Sequence, residues 1–281
     1  MFGILVCLGT ALLWAIADVI RKKIAGAISA QKLAVWTLLI QLPLFGAWGF
    51  SAGIPSAVPS EYWLFGIGAG ILNGVTVLGM LLAFSLSPIS LTIPLLSLTP
   101  LFSAIMGYVF SGEVFSNVQW IGLSIASLGA TALGMGKEGW FHEKGAWIMI
   151  GVAVLFSIMF TFDRQGLQLV ELPHHAFFET IIACLFITSV VFFRNKEDVL
   201  LPQQNLGLLF AAVLAMTGAL ALQLYAFQIG ISVSIVEATK RTIGIISSLL
   251  MGYLLFSESI SQRKLASAAV LGIGIVVLLQ G

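Results

Sequence analysis

Three ionisable residues stand inside an apolar stretch: Glu237, Lys240 and Arg241, within the run from Ser232 to Phe256. Glu237 to Lys240 is an i,i+3 spacing and Glu237 to Arg241 an i,i+4 spacing, so on a helix all three share a face. One acid against two bases leaves one positive charge over. A charge at mid-membrane costs about 2.5–3.5 kcal/mol on insertion scales, so such a face turns to a cavity or a partner. The chemistry suits an anionic ligand, because Arg grips a carboxylate with a planar fork and Lys acts as a point charge. The alternative is a structural pair with Glu237 plus one base snorkelling to lipid headgroups.

Glu179 is the second candidate. It sits about a turn and a half into another apolar run and is the i,i+4 neighbour of His175. A carboxyl group held away from water can carry a proton, which a proton-coupled exchanger needs. The alternative is a rim pair wetted by interfacial water. His174 and His175 are adjacent, so a helix aims them at different faces, and no third ligand is evident; no metal site and no cofactor are expected. Asp18 with Arg21 and Lys22, and Asp163 with Arg164, read as interfacial pairs at helix ends. Trp14 and Tyr225 are candidates to line a cavity by stacking or cation–π contact. Asn73 and Gln223, with Thr76 and Gln228 behind them, are candidates to bind a solute by hydrogen bonds. Each of these is equally suited to core packing or an interhelical hydrogen bond. Pro88, Pro94 and Pro100 fall in one run. Proline frees the carbonyl four residues back, here Ser90 for Pro94 and Leu96 for Pro100, and a broken helix is tolerated in a membrane where it lines a cavity.

These residues need elements to hold them, and the composition says what kind. Of 281 residues, 59% are hydrophobic and 9% charged, with a mean hydropathy of +1.07. A soluble domain carries about 25% charged residues. Thirteen Lys/Arg and twelve Asp/Glu cannot coat a soluble globule of this size. A cytosolic enzyme, a secreted disulfide scaffold and a nucleic-acid binder are excluded. Cys7 and Cys184 both lie in apolar runs and suggest no disulfide framework. A membrane-crossing helix needs roughly 20 apolar residues. Ten such runs are legible, at about 2–20, 33–50, 62–86, 88–110, 117–135, 145–162, 174–193, 206–229, 232–256 and 263–280. The fold class expected is an all-α membrane protein. The first run lacks a basic residue before it and a small-x-small site after it, so a retained helix is expected rather than a cleaved signal. Gly66, Gly68, Gly70, Gly74 and Gly79 stud the third run and predict close helix packing there.

The chain reads as two tandem copies. Met106–Glu113 (MGYVFSGE) and Met251–Glu258 (MGYLLFSE) share four of eight residues at an offset of 145. Ile89–Ile93 faces Ile231–Ile235, and Leu13–Ile16 faces Leu155–Ile158, both at an offset of 142. The expected domains are residues 1–140 and 141–281, five helices each. Five is odd, so the second copy enters the membrane inverted. Inverted repeats are the plan of many secondary transporters, with the solute site at the repeat interface near mid-membrane.

Ala11-Leu12-Leu13-Trp14-Ala15, Ser97-Leu98-Thr99-Pro100-Leu101 followed by Gly112-Glu113, and Lys240-Arg241-Thr242 followed by Gly252 and Phe256-Ser257-Glu258 resemble the drug/metabolite transporter superfamily in its ten-helix EamA-like branch. The resemblance covers essentially the whole chain. It departs at Ala15, where many relatives have Gly, and in the ninth run, which has no proline matching Pro100. It implies a central cavity lined mainly by helices one, three, four, six, eight and nine.

The expectation is therefore a secondary-active transporter of a small metabolite, anion-bearing or zwitterionic, multi-pass in the cell membrane and working by alternating access. Its partners would be a small-molecule solute and the lipid bilayer, with no nucleic acid, as a monomer or homodimer. A membrane-embedded enzyme acting on lipid and a non-transporting membrane subunit are the alternatives, and the former lacks a paired-acid or Ser–His constellation at membrane depth. The odd-numbered loops carry ten Lys/Arg and the even-numbered ones only Arg164. By the positive-inside rule both termini lie outside, whereas the resemblance implies both inside.

Overall fold

The structure is a computed structural model and describes residues 2–24, 28–55, 57–87, 92, 94–134, 142–195, 205–256 and 262–280. Among these residues there are ten α-helices and no strand: α1 Phe2–Ile24, α2 Ala30–Ser51, α3 Tyr62–Leu86, α4 Thr99–Ser111, α5 Asn117–Gly134, α6 Lys144–Gly166, α7 Leu172–Asn195, α8 Leu206–Gln228, α9 Val233–Phe256 and α10 Gln262–Gln280. Each falls on one of the ten apolar runs. Six helices are long and apolar enough to cross a membrane: α1, α2, α3, α6, α7 and α8. Leu96–Ser111 and Ala268–Leu278 are shorter apolar helices. The fourth run is shortened by its prolines. A tight 3₁₀ turn at Leu96–Leu98 separates Pro94 from α4, and Pro100 sits in the first turn of α4, where its missing N–H costs no helix bond. Pro88 and Ser90 lie outside the described residues.

Polarity is arranged inside out. Leu64, Phe193, Leu254 and Phe50 are exposed on helix exteriors, where only lipid tails suit them. Glu179, Glu237, Asp163 and His175 are completely buried. The pairs α1–α8 and α3–α6 pack most extensively between the two halves together with α5–α10, while α2–α7 and α4–α9 also meet. Small residues permit this closeness. A methyl group on Gly70 would stand 2.6 Å from Ile182 Cβ and 3.0 Å from the Glu179 carbonyl, and one on Gly68 would stand 2.6 Å from the Phe162 ring. The glycines of the third run therefore let α3 nest against α6 and α7, with Gly74 against Phe186 and Gly79 against Val152.

Candidate functional site

Two buried polar clusters lie against α6, one at Phe160 and one at Asp163. Lys240 and Glu179 are each seven residues into α9 and α7, or about 10 Å along the helix at 1.5 Å per residue.

The first cluster gathers around Lys240. Its ammonium forms an ion pair with Glu237 Oε1 and donates to Gln223 Oε1 at 3.1 Å. It lies 4.7 Å from the Phe160 ring centroid and 5.5 Å from that of Trp14. Trp14 Nε1 donates to the same Gln223 oxygen at 3.2 Å. Arg241 stands 3.5 Å from Glu237 Oε2. So α1, α6, α8 and α9 each contribute a side chain, and the i,i+3 and i,i+4 spacing does bring both bases to one carboxylate. The surrounding wall is apolar, with Phe156 stacked on Phe160, Phe227 beside them, and Val6, Leu224 and Val236 packed in the same core. An ammonium in such a wall loses hydration, and aromatic faces return part of that cost. Two buried donors, Gln223 Nε2 and Arg241 Nε, have no hydrogen-bond partner among the described residues.

The second cluster gathers around His175. Its Nε2 lies 3.4 Å from Asp163 Oδ1 and its Nδ1 is hydrogen-bonded to the Tyr62 hydroxyl at 3.0 Å. Asn73 Nδ2 donates to Glu179 Oε1 at 2.9 Å. Donor atoms of Asp163, His175 and Glu179 all lie within 4.8 Å of one another. A methyl group on Gly166 would stand 2.8 Å from the His175 ring, so glycine there is what lets the imidazole sit beneath the end of α6.

These positions revise several sequence expectations. Asp163 and Arg164 are not a pair: Asp163 is buried beside His175, and Arg164 forms an ion pair with Glu113. Adjacent histidines do point apart, His174 Nε2 donating to the Gly53 carbonyl at 2.7 Å, yet two acids converge on His175 from α6 and α7. The i,i+4 spacing showed Glu179 beside His175 in the sequence, whereas Asp163, on another helix, was hidden by its separation. Asn73 belongs with Glu179, not with Lys240, and Tyr225 packs edge-on against Phe2 at 6.3 Å. Thr76 bonds back to the Asn73 carbonyl, and Gln228 is exposed. Asp18 and Arg21 form the expected exposed pair at 3.3 Å.

Glu113 joins a third polar cluster, although sequence reasoning read it only as a marker of the repeat and of the family resemblance. Gly112 ends α4 in the left-handed conformation, with φ of 62°, and the Glu113 N–H closes on the Gly107 carbonyl at 3.1 Å. This is the glycine helix stop. A methyl group on Gly107 would stand 2.7 Å from Glu113 Oε2, so Gly107 clears room for the carboxylate. Glu113 then reaches Arg164 of α6 and accepts from the Ser232 hydroxyl at 2.9 Å, while Gln165 donates to Ser111 at 2.9 Å. The Gly-x₄-Gly-Glu spacing is the signal that could have found it.

Apolar membrane-length helices with charged clusters buried between them define a polytopic helical membrane protein. The sequence pattern of the EamA-like transporter family matches residues 1–135 and again 143–280, and the chain belongs to that family. It is similar to a protein named riboflavin transporter of Rhizobium johnstonii (strain DSM 114642 / LMG 32736 / 3841), 25% identical over 116 residues, which are 41% of this chain and 38% of that one. It is also similar to an uncharacterized transporter in the cobO 3′ region of Sinorhizobium sp, 32% identical over 79 residues, 28% of this chain and 56% of that one. The chain thus spans about four-tenths to just over half the length of these curated relatives. A solved crystal structure shares the fold with a TM-score of 0.78 at 19% identity, covering 99% of this chain and 98% of the other.

Proposed function

We propose that the protein is a secondary-active transporter of the cell membrane that moves a small metabolite bearing an anionic group. Its solute site is formed by Lys240, Arg241 and Gln223, roofed by Trp14 and Phe160. The observation that carries this reading is a buried cluster with one excess positive charge and two unpartnered donors, Gln223 Nε2 and Arg241 Nε. A carboxylate or phosphate supplies both the missing charge and the acceptors. Two inverted five-helix repeats, residues 1–140 and 141–281, would rock about this site. The helix pairing supports the duplication: exchanging α1–α5 with α6–α10 turns α1–α8 into α6–α3, α1–α9 into α6–α4, and α2–α8 into α7–α3, all of which pack. Glu179 would carry the coupling proton.

The test is a thermal-shift screen of metabolites on purified protein, followed by uptake into proteoliposomes. Riboflavin belongs in the panel because of the Rhizobium relative, beside anionic flavins and carboxylates. Anionic solutes are expected to stabilise the protein and riboflavin to do so less; stabilisation by cations alone would reject the site.

The Glu113–Arg164 pair, with Ser232 and Gln165–Ser111, ties α4, α6 and α9 at one end of the bundle. It would hold that face closed above Lys240. In a variant lacking Cys7 and Cys184, a cysteine replacing the buried Ser234 should react slowly with an impermeant thiol reagent. Glu113→Gln should speed the reaction about tenfold, and an unchanged rate would refute the closure. Cysteines replacing Glu113 and Glu258 should label from opposite faces; labelling from one face would sink the inverted repeat. Glu258 lies outside the described residues.

A further inference from the structure

The second cluster has a charge problem that no side chain among the described residues solves. Asp163 and Glu179 are completely buried, from α6 and α7, with ligand atoms within 4.8 Å of each other and of His175. The basic groups described on the neighbouring helices are engaged elsewhere, Arg164 by Glu113 and both Lys240 and Arg241 by Glu237. Tyr62 and Asn73 of α3 face the cluster but bring no positive charge.

The hydrogen bonding is polarised in one way. His175 spends Nδ1 on Tyr62, and Glu179 spends Oε1 on Asn73. Their other atoms, His175 Nε2 and Glu179 Oε2, and both oxygens of Asp163, are buried without a hydrogen-bond partner among the described residues. Each group is thus held from outside and unsatisfied within. A ligating histidine almost always has its second nitrogen hydrogen-bonded in this manner, which fixes the ring and the tautomer. In the tautomer that donates Nδ1–H to Tyr62, Nε2 turns a lone pair toward a carboxylate oxygen only 3.4 Å away, and a cation between the two would satisfy both.

We propose that Asp163, His175 and Glu179 form a binding site for a divalent first-row transition-metal ion. One dication balances the two carboxylates, and a mixed imidazole–carboxylate set suits zinc, cobalt or manganese rather than the all-oxygen preference of calcium and magnesium. Metal–ligand bonds of about 2.0–2.2 Å place neighbouring ligand atoms about 3–3.6 Å apart, so a cluster whose ligand atoms lie within 4.8 Å of one another closes by about 1 Å on binding. The site is separate from the proposed solute cluster. Its occupant would compete with the coupling proton at Glu179, since binding a metal requires the ligands to be deprotonated.

The test is a Co²⁺ titration of the detergent-purified full chain, read by visible absorption and by metal count after gel filtration. One Co²⁺ per chain with ligand-field bands is expected. His175→Gln and Asp163→Asn should each weaken binding at least tenfold, with folding checked by elution and melting. Tyr62→Phe, which keeps every ligand, should weaken it less than either. If ligand variants fail to fold, the wild type decides through paramagnetic broadening of histidine ring resonances, where His175 should vanish before His142 and His174. A folded wild type that shows no Co²⁺ band, or binding as tight as wild type in both ligand variants, overturns the proposal and leaves a cluster that shares only a proton.

Discussion

Glu179→Gln should abolish gradient-driven accumulation while leaving solute exchange within about threefold of wild type. For a carrier that moves one proton per solute, each pH unit sustains about tenfold accumulation, the equivalent of about 1.4 kcal/mol. The glutamine retains the side-chain oxygen that accepts from Asn73 and has nearly the same volume, but it cannot release a proton. Uptake by the variant should therefore rise only to equilibrium with the outside solution, whatever the pH difference. Counterflow of labelled against unlabelled solute needs no net proton movement and should persist. Removing one of two neighbouring buried carboxylates should not lower the melting temperature, because the carboxylate lost has no basic side-chain partner but His175 among the described residues. Accumulation that still follows the pH gradient in the variant would return Glu179 to a structural role.

How far the sequence led depended on whether partners were close along the chain. The ten helices were legible because membrane-length apolar runs need no tertiary information, and each described helix overlaps its run. The Glu237–Lys240–Arg241 cluster was legible for the same kind of reason, since all three sit within two turns of α9 and helical spacing alone aligns them. Gln223 and Trp14 were legible only as residue types; that Trp14 and Lys240 meet on the same Gln223 oxygen depends on α1, α8 and α9 packing together. The cluster around His175 was the larger miss. Tyr62, Asn73, Asp163 and Glu179 come from three helices and are joined by contacts spanning 113 and 106 positions. The local reading paired Asp163 with Arg164 because neighbours in sequence looked like neighbours in space. On a helix adjacent residues diverge by about 100°, and here that sends the acid to His175 and the base to Glu113.

One helix face touches three polar features of the interior. Phe160, Asp163 and Arg164 follow i,i+3,i+4 spacing at the end of α6, so they share a side. Phe160 contacts Lys240, Asp163 contacts His175, and Arg164 contacts Glu113. A tilt of α6 would thus disturb the solute cluster, the carboxylate cluster and the closing ion pair together. Such sharing is the physical requirement for coupling: each ligand must bind one arrangement of a common element better than the other.

Arg241→Ala should weaken binding of an anionic solute about 10- to 100-fold in protein that remains folded. The figure follows from losing a charge-assisted contact of about 1.5–3 kcal/mol. Arg241 is the freer of the two bases: it stands 3.5 Å from Glu237 and keeps an unpartnered Nε, while Lys240 is held by Glu237, Gln223 and two aromatic faces. Arg241→Lys should recover part of the affinity, since it restores charge but not the two-pronged geometry. Lys240→Ala should weaken binding and also destabilise the protein, because Glu237 would keep only the more distant base and Gln223 would lose a donor. Arg241→Ala leaves the closer ion pair of Glu237 intact and should cost little stability, so the two effects separate in a melting experiment. The decisive measurement is solute affinity by calorimetry in both alanine variants after each is shown to melt cooperatively. Unchanged affinity in both, or a transported solute that is purely cationic, would remove Lys240 and Arg241 from the solute site and leave the excess charge as a structural feature of α9.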